Sequence, residues 1–407
     1  MKTIESRIDY PAVILAVMCL FHPVIGHSAE KQSERDNVTT NVAHQTTCEL
    51  QLNRIHGAIQ EYVKRNQRLP RWLSDLVPDY IHDPKTLVCP FVEQTGRFKE
   101  WRTAFVNYPV FADPGFCSYA YEFCTTEITS VPGLTTRDYK QHQMAMIGFG
   151  VPVVRCLAHR PILNLAYDGS TYLSPDEWED DFAISPKHHK AFHDVWSMTL
   201  TKRSLNKIIL DVLEPRDPKA GPSALDLSSH YNASLLHLSR IELSGKLLIH
   251  YPEGLRRIDG VDFDIRALIH LTATNFPIPF PEMAGGIPVN QKCTSLHFLH
   301  GAMFPATDGI RIASYVLRFG DGTTDEVPVI YGRDVKTRWF DPKIDPAIDN
   351  PKAAWVSPPD KIGATGKSLR LYVTHWKNPG RDSELRSIDF ISHMTPSAPF
   401  LVAITVE

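Results

Sequence analysis

The sequence predicts an α+β protein, in which a helix and a small antiparallel sheet are followed by an all-β sandwich of jelly-roll type. Three observations predict this order. Apolar residues recur at helical spacing after Cys48, β-branched and aromatic pieces follow to about residue 182, and short alternating runs fill the chain from Ile241 onwards. Because the chain has 407 residues, it is long enough for more than one hydrophobic core.

The first domain is predicted at residues 46–182. In CELQLNRIHGAIQEYVKRNQRLP, the residues Leu52, Ile55 and Ile59 recur three and four positions apart, which places them on one face of a helix that closes near Pro70. The later pieces CSYAYEF and ILNLAYDGSTYL alternate as strands do, and Asp168-Gly169 within the second piece predicts a tight turn.

Residues 183–239 are predicted to form a helical and Pro/Gly-rich linker that contains EPRDPKAGPS, and residues 240–407 to form the sandwich. Alternating runs such as VDFDIRALIHL and SLRLYVTHW are separated by the turn signals FGDGTTDE and KNPGRD, without an amphipathic helix between them. This length of alternating pattern is enough to enclose one core, so we expect the sandwich to fold alone.

Residues 1–29 have the organisation of a cleaved signal peptide. Lys2 and Arg7 precede an apolar run, and the small residues Ser28-Ala29 follow it. The run is shorter than the ~20 apolar residues of a spanning helix, so we expect a secreted or periplasmic protein with no membrane span. The 43 basic and 46 acidic residues leave a net charge of −3, which disfavours nucleic acid as a partner.

Parts of the chain resemble two known families. The helix LNRIHGAIQEYVKRNQRLP, the segment LSDLVPDYIHDPKTLVCP and the piece LNLAYDGSTYL together resemble the periplasmic domain of type II secretion pseudopilins, which implies a pseudopilin-like helix-plus-sheet fold. The later stretches GVDFDIRALIHL, GIPVNQKCTSLHFLHGA and SIDFISHMTPSAPFLVAITVE resemble galactose-binding-like β-sandwich domains of secreted bacterial proteins. That second resemblance implies binding of carbohydrate or of a cell-surface polymer.

The cysteines are predicted to form disulfides. Six remain once Cys19 is removed with the signal peptide, and an even number outside the cytoplasm is typical of cross-linked domains. We expect two disulfides in the first domain, with Cys117 and Cys124 joined in one of them. The candidate half-cystines are Cys48, Cys89, Cys117, Cys124 and Cys156. No C-x-x-C motif occurs, which disfavours a zinc ribbon, a thioredoxin-like pair and a haem attachment site.

Several other polar groupings have structural explanations. Cys156 and His159 are a possible nucleophile pair, but a tight bend without an orienting partner favours a purely structural role. His189 and His193 lie four residues apart on a predicted helix, yet lack the glutamate of a zincin. His297 and His300 fall on opposite sides of a strand. The loop around Asp321, Asp325 and Glu326 is a weak calcium candidate and a stronger hairpin turn, so no cofactor is expected.

The aromatic residues of the sandwich give the best indication of function. Rings flanked by charged groups can stack on a sugar and hydrogen-bond to its hydroxyls, although core packing accounts for sandwich aromatics equally well. The candidate ligand-binding residues are Tyr331, Arg333, Asp334, Trp339 and Trp376. We therefore expect a non-enzymatic recognition or envelope-associated protein, with a surface glycan or an envelope protein as partner. The alternative is a secreted hydrolase that acts on polysaccharide, although no catalytic pair can be assigned.

Overall fold

The computed structural model describes residues 30–96, 113–115, 117–127, 133, 135–159, 161–174, 209–210, 213–238, 251–274, 276, 278, 280–345, 351–359 and 366–407. Within these ranges the protein has few helices and mostly antiparallel strands, so it is an α+β protein as predicted. No helix in the described ranges is both long enough and apolar enough to cross a membrane. The predicted signal peptide at residues 1–29 lies outside them.

The first domain is built on one long helix. Helix α1 spans Glu30–Asn66, and its predicted face is buried through Leu52, Ile55 and Ile59. Short 3-10 helices follow at Leu73–Leu76 and Pro84–Leu87. The remaining elements are α2 (Pro90–Thr95), β1 (Ala120–Tyr121), α3 (Thr136–Ile147), β2 (Pro152–Cys156), β3 (Ile162–Ala166) and β4 (Thr171–Ser174). The four strands form one antiparallel sheet in chain order, against which α1 packs.

Helix α3 was not predicted from the sequence. It begins at a capping box, in which the Thr135 side chain accepts a hydrogen bond from the Asp138 amide, and the Asp138 carboxylate accepts one from the Thr135 amide. Its buried positions include Lys140 and Gln143 as well as apolar residues. Because polar side chains occupy part of the inward face, the apolar spacing that identifies a helix in the sequence is interrupted.

The turn between β3 and β4 fixes the sheet against helix α1. Gly169 has a φ of +84°, and an added Cβ would lie 2.7 Å from the Cε1 atom of His56 on α1. His56 in turn donates a hydrogen bond from Nε2 to the Tyr167 carbonyl at 2.9 Å. The glycine therefore provides both the left-handed conformation and the space for the helix side chain.

Gly169→Ala should destabilise the protein by about 2–3 kcal/mol, because alanine is strained at a positive φ and also displaces His56. Gly260→Ala is a matched control, since Gly260 has the same φ of +84° with no atom within 4 Å of an added Cβ. Urea unfolding of both variants measures the difference. Equal losses of stability would show that the His56 contact contributes nothing.

The second domain consists of two antiparallel sheets. One sheet has the order β11-β10-β15-β8, and the other has the order β12-β14-β9-β16-β7, with β13 paired to β14. A separate hairpin is formed by β5 and β6. The strands are β5 (Gly254–Ile258), β6 (Val261–Ile265), β7 (Ile269–His270), β8 (Met283–Gln291), β9 (Ser295–Met303), β10 (Arg311–Phe319), β11 (Thr324–Ile330), β12 (Trp339–Phe340), β13 (Trp355–Val356), β14 (Ser368–Lys377), β15 (Leu385–Ser392) and β16 (Ala398–Val406).

The two sheets pack face to face, which makes the domain a β-sandwich. The rings of Phe298 on β9 and Tyr315 on β10 stack with centroids 4.0 Å apart, and Tyr315 stacks in the same way on Phe390 of β15 at 4.8 Å. His300 lies in the same layer, where its Nδ1 atom is 2.9 Å from the Tyr315 hydroxyl and its Nε2 atom is 2.9 Å from Thr374 Oγ1. Two polar partners thus hold the imidazole inside the core.

Residues 213–238, predicted as part of the linker, pack on the sandwich. The Leu225 amide donates to the Ile404 carbonyl at 2.9 Å, and the Val406 amide donates to the Ser223 carbonyl at 2.8 Å, so this segment lies along strand β16. Arg266 of the sandwich is buried and forms ion pairs with Asp226 and Asp264. The segment therefore covers an edge of the sandwich.

The two domains also contact each other directly. The Ser234 amide, just before the 3-10 helix Leu235–Leu238, donates to the Ala145 carbonyl of α3 at 3.2 Å. The ring of Phe149 meets the rings of Phe276 and Phe304 of the second domain at centroid distances of 5.4 and 5.6 Å. Buried apolar residues form a continuous cluster through both domains.

Candidate metal centre

Three cysteines and one histidine meet inside the first domain. One possible ligand atom from each of Cys48, Cys89, Cys156 and His159 lies within 4.8 Å of the other three. The cysteines are 0% exposed and the histidine is 3% exposed. Among the residues that the structure describes, no other set of three or more His, Cys, Asp or Glu side chains converges in this way.

Each ligand comes from an element with its own reason to point inwards. Cys48 lies on α1 one turn before Leu52 and thus on the buried face of the helix. Cys89 immediately precedes α2, and its amide donates to Ser118 Oγ at 2.7 Å. Cys156 is the last residue of β2, and His159 lies in the turn that leads to β3. The centre therefore joins the helix, the α2 segment and the sheet.

The distances fit a single tetrahedral ion. The Sγ atom of Cys89 is 3.4 Å from Nε2 of His159. Zn–S bonds of about 2.3 Å and Zn–N bonds of about 2.0–2.1 Å at tetrahedral angles place sulfur about 3.5 Å from nitrogen, and two sulfurs about 3.8 Å apart. In an iron–sulfur cluster the ligands are spread around several irons, whereas these four atoms all lie within 4.8 Å of one another.

The thiols of the centre lie close enough to shift one another's pKa. Hydrogen bonds from Cys156 and Cys48 lower the pKa of Cys89, and the His159 imidazole acts in the same direction. Burial is the main cause that raises the pKa of Cys156. The Tyr119 hydroxyl lies 3.3 Å from Cys48 Sγ and donates to Gln51 Oε1 at 2.7 Å. Binding of a divalent cation by cysteine releases the thiol protons, so metal binding at this centre would be pH-dependent.

The arrangement is chemically suited to holding an ion rather than to catalysis. Four protein side chains converge here, as many as a tetrahedral ion would need, and all four are buried. Catalytic zinc sites keep a position open for water or substrate, whereas structural sites are closed by four ligands. The centre has the donor set and closure of a structural site.

No disulfide joins any of the cysteines predicted to form them, or Cys293, in the part of the chain that the structure describes. Three of them, Cys48, Cys89 and Cys156, lie in the centre. Cys117 is half-buried with its Sγ 3.5 Å from the Tyr119 carbonyl, and Cys124 is buried. The lack of C-x-x-C disfavours only sites with closely spaced cysteines, and this centre draws its sulfurs from distant segments. In the sequence, only Cys156 and His159, with two residues between them, have a spacing that indicates two ligands of the same site.

The candidate glycan-binding residues do not form one site. The Tyr331 ring is only 5% exposed, and its hydroxyl accepts a hydrogen bond from the Thr337 amide at 3.1 Å. Trp339 pairs with Leu369 near the start of β14, whereas Trp376 lies seven residues further along that strand. At ~3.3 Å per residue the two positions are separated by about 23 Å.

Arg333, Asp334 and Trp376 each interact with a neighbouring polar group. Exposed Arg333 forms an ion pair with Asp334 at 2.7 Å, and the Asp334 carboxylate also accepts from the Ile330 amide at 2.8 Å. Trp376 donates from Nε1 to Asp325 at 3.1 Å. The same aspartate was one of the weak calcium candidates.

The other weak metal candidates have separate surroundings. Asp321 accepts hydrogen bonds from the amide and hydroxyl of Thr323 in the turn between β10 and β11, and Glu326 pairs with Arg311. His297 stacks on His375 at 4.7 Å, on the other side of β9 from the buried His300. His189 and His193 lie outside the described residues.

Comparisons with known proteins gave no match: no family model, no curated protein and no solved structure is significantly similar to the chain.

Proposed function

We propose that the protein binds one zinc ion at Cys48, Cys89, Cys156 and His159, and that the ion stabilises the first domain. The observation that carries this proposal is the convergence of four buried ligand atoms within 4.8 Å of one another. Three thiolates and an imidazole are a donor set typical of structural zinc. Hard cations such as Mg²⁺ and Ca²⁺ prefer oxygen ligands, which this centre does not offer.

The role of the ion follows from what its ligands connect. The ligands come from α1, from the residue before α2 and from the end of β2 with its following turn. The sheet they join has four short strands, of two to five residues each. Because such a sheet buries little surface by itself, a metal bridge between helix and sheet contributes directly to folding.

Metal analysis of the full chain, purified under reducing conditions, tests this proposal. We expect about one zinc per chain, and loss of that zinc in Cys89→Ser and in His159→Ala. Cys293→Ser is the control, because Cys293 is a buried thiol of the second domain, away from the centre. A metal-free wild type after incubation with zinc, or full zinc content in Cys89→Ser, would refute the proposal.

For the second domain we propose recognition of a surface glycan by an extracytoplasmic, non-enzymatic protein, with a polysaccharide hydrolase as the alternative. Half-buried Trp339 and exposed Arg333 support this, because both lie in the segment between β11 and β14. The same proposal includes a jelly-roll connectivity for the second domain and a pseudopilin-like fold for the first. In an alternative version of this proposal, the partner is an envelope protein instead of a surface glycan.

A glycan array probed with the full chain tests the recognition proposal. Trp339→Ala should abolish binding, whereas Trp376→Ala should leave it intact, because the two rings lie near opposite ends of β14. Absence of binding by the wild type, or equal binding by both variants, argues against a site at Trp339. Release of product sugars would favour the hydrolase.

A further inference from the structure

We propose that the zinc centre is also a thiol switch, in which two of its three cysteines form a disulfide once the metal is lost. The metal half of this inference rests on the proposed zinc site. The disulfide half rests on the geometry of the sulfurs alone. Zinc and disulfide are then two alternative states of one site, and the redox conditions of the compartment select between them.

The positions of the sulfurs support this exchange. The three Sγ atoms lie within 4.8 Å of one another, and a disulfide needs a separation of about 2.05 Å. The three side chains converge from three different segments, so any two sulfurs must approach by at most about 2.8 Å to form a disulfide. Ordinary buried cysteines are isolated and stay inert, whereas each of these has two possible partners.

A disulfide at the centre would exclude the metal. Any pair that joins leaves one sulfur and His159, and two ligands do not hold a tetrahedral zinc ion. In the opposite direction, bound zinc engages all three sulfurs and keeps them from reacting with one another. The two states therefore exclude each other through shared atoms, without a second site or a moving domain.

With a peroxide as oxidant, the reaction takes two steps. A thiolate of the metal-free centre attacks one peroxide oxygen, the O–O bond breaks, and a sulfenic acid and a hydroxide form. A neighbouring thiol loses its proton and its sulfur attacks the sulfenic sulfur, so that the S–S bond forms as hydroxide leaves. In total, two thiols and one hydrogen peroxide give one disulfide and two waters. The two sulfurs are oxidised and the peroxide is reduced.

The experiment compares zinc-loaded and chelator-stripped full chains exposed to hydrogen peroxide. Thiols are counted after denaturation, zinc is measured after re-addition, and peptides are mapped without reduction. We expect the stripped chain to lose two thiols and its zinc binding, and dithiothreitol to restore both. The zinc-loaded chain should lose its thiols at least tenfold more slowly.

Variants of the full chain separate the roles of the cysteines. Cys89→Ser should still form a disulfide, between Cys48 and Cys156, although it binds no zinc. The double variant Cys48→Ser with Cys156→Ser should form none at the centre. Cys117→Ser is the control and should behave as the wild type, since Cys117 is not part of the centre.

The outcomes distinguish the two proposals. Zinc binding by the reduced chain without a disulfide after stripping overturns the switch and leaves the zinc site standing. A disulfide among Cys48, Cys89 and Cys156 in a wild-type chain that never binds zinc refutes the zinc site, and with it the exchange. A disulfide mapped to Cys117, Cys124 or Cys293, or unchanged zinc uptake after oxidation, also overturns the switch.

Discussion

Cys156→Ser should make the protein insensitive to chelators and lower its stability by several kcal/mol. Cys156 is fully buried at the end of β2, and its loss removes one of four ligands that join the sheet to helix α1. Structural zinc in small peptides contributes an apparent ~10–16 kcal/mol near neutral pH. Since the first domain also has its own apolar core, we expect only part of that amount to be lost.

Cys124→Ser is the matched control for this prediction, because Cys124 is equally buried in the same domain but lies outside the centre. Thermal unfolding followed by circular dichroism, with and without EDTA, is the measurement. The wild type and Cys124→Ser should unfold at lower temperature with EDTA, whereas Cys156→Ser should not respond. An equal response of the two variants to EDTA would count against zinc as the stabilising group.

The second large effect concerns pH and His300. Burial lowers the pKa of His300 to about 4, against about 6.5 in an unfolded chain. Between these values the unfolded state binds the proton and the folded state does not. Stability is therefore unaffected by this group above about pH 6.5 and falls as the pH decreases towards 4, by about 3 kcal/mol in total.

His300→Gln should remove this part of the pH dependence, because glutamine keeps a polar group near Tyr315 and Thr374 without titrating. Urea unfolding at several pH values between 4 and 7 gives the free energy of unfolding. The difference between the variant and the wild type isolates the histidine, since acid acts on the metal centre of both. Parallel pH curves for His300→Gln and the wild type would contradict the assignment.

Local patterns in the sequence were enough for much of the fold. The spacing of Leu52, Ile55 and Ile59 predicted the buried face of α1, and alternation predicted the antiparallel strands of the second domain. Helix α3 was missed because Lys140 and Gln143 interrupt its apolar face. Each of these outcomes depends on residues that are close together in the sequence.

The metal centre depends on residues that only the tertiary structure brings together. Cys48, Cys89 and Cys156 lie far apart in the sequence, and nothing in their spacing indicates that Cys48 on α1 comes close to the end of β2. An even number of cysteines is compatible with disulfides and with metal ligands alike, and composition does not separate the two. Only Cys156 and His159 are close enough in sequence to suggest that they bind the same metal ion.

The contact of Phe149 with Phe276 and Phe304 has a consequence for the order in which the chain folds. The first domain emerges before the sandwich, whether from the ribosome or from an export channel, so its half of this aromatic contact can form before the second half appears. The sandwich can then pack its rings against the folded first domain instead of exposing them to other incompletely folded chains. A first domain whose folding is delayed would leave those rings exposed and prone to aggregation.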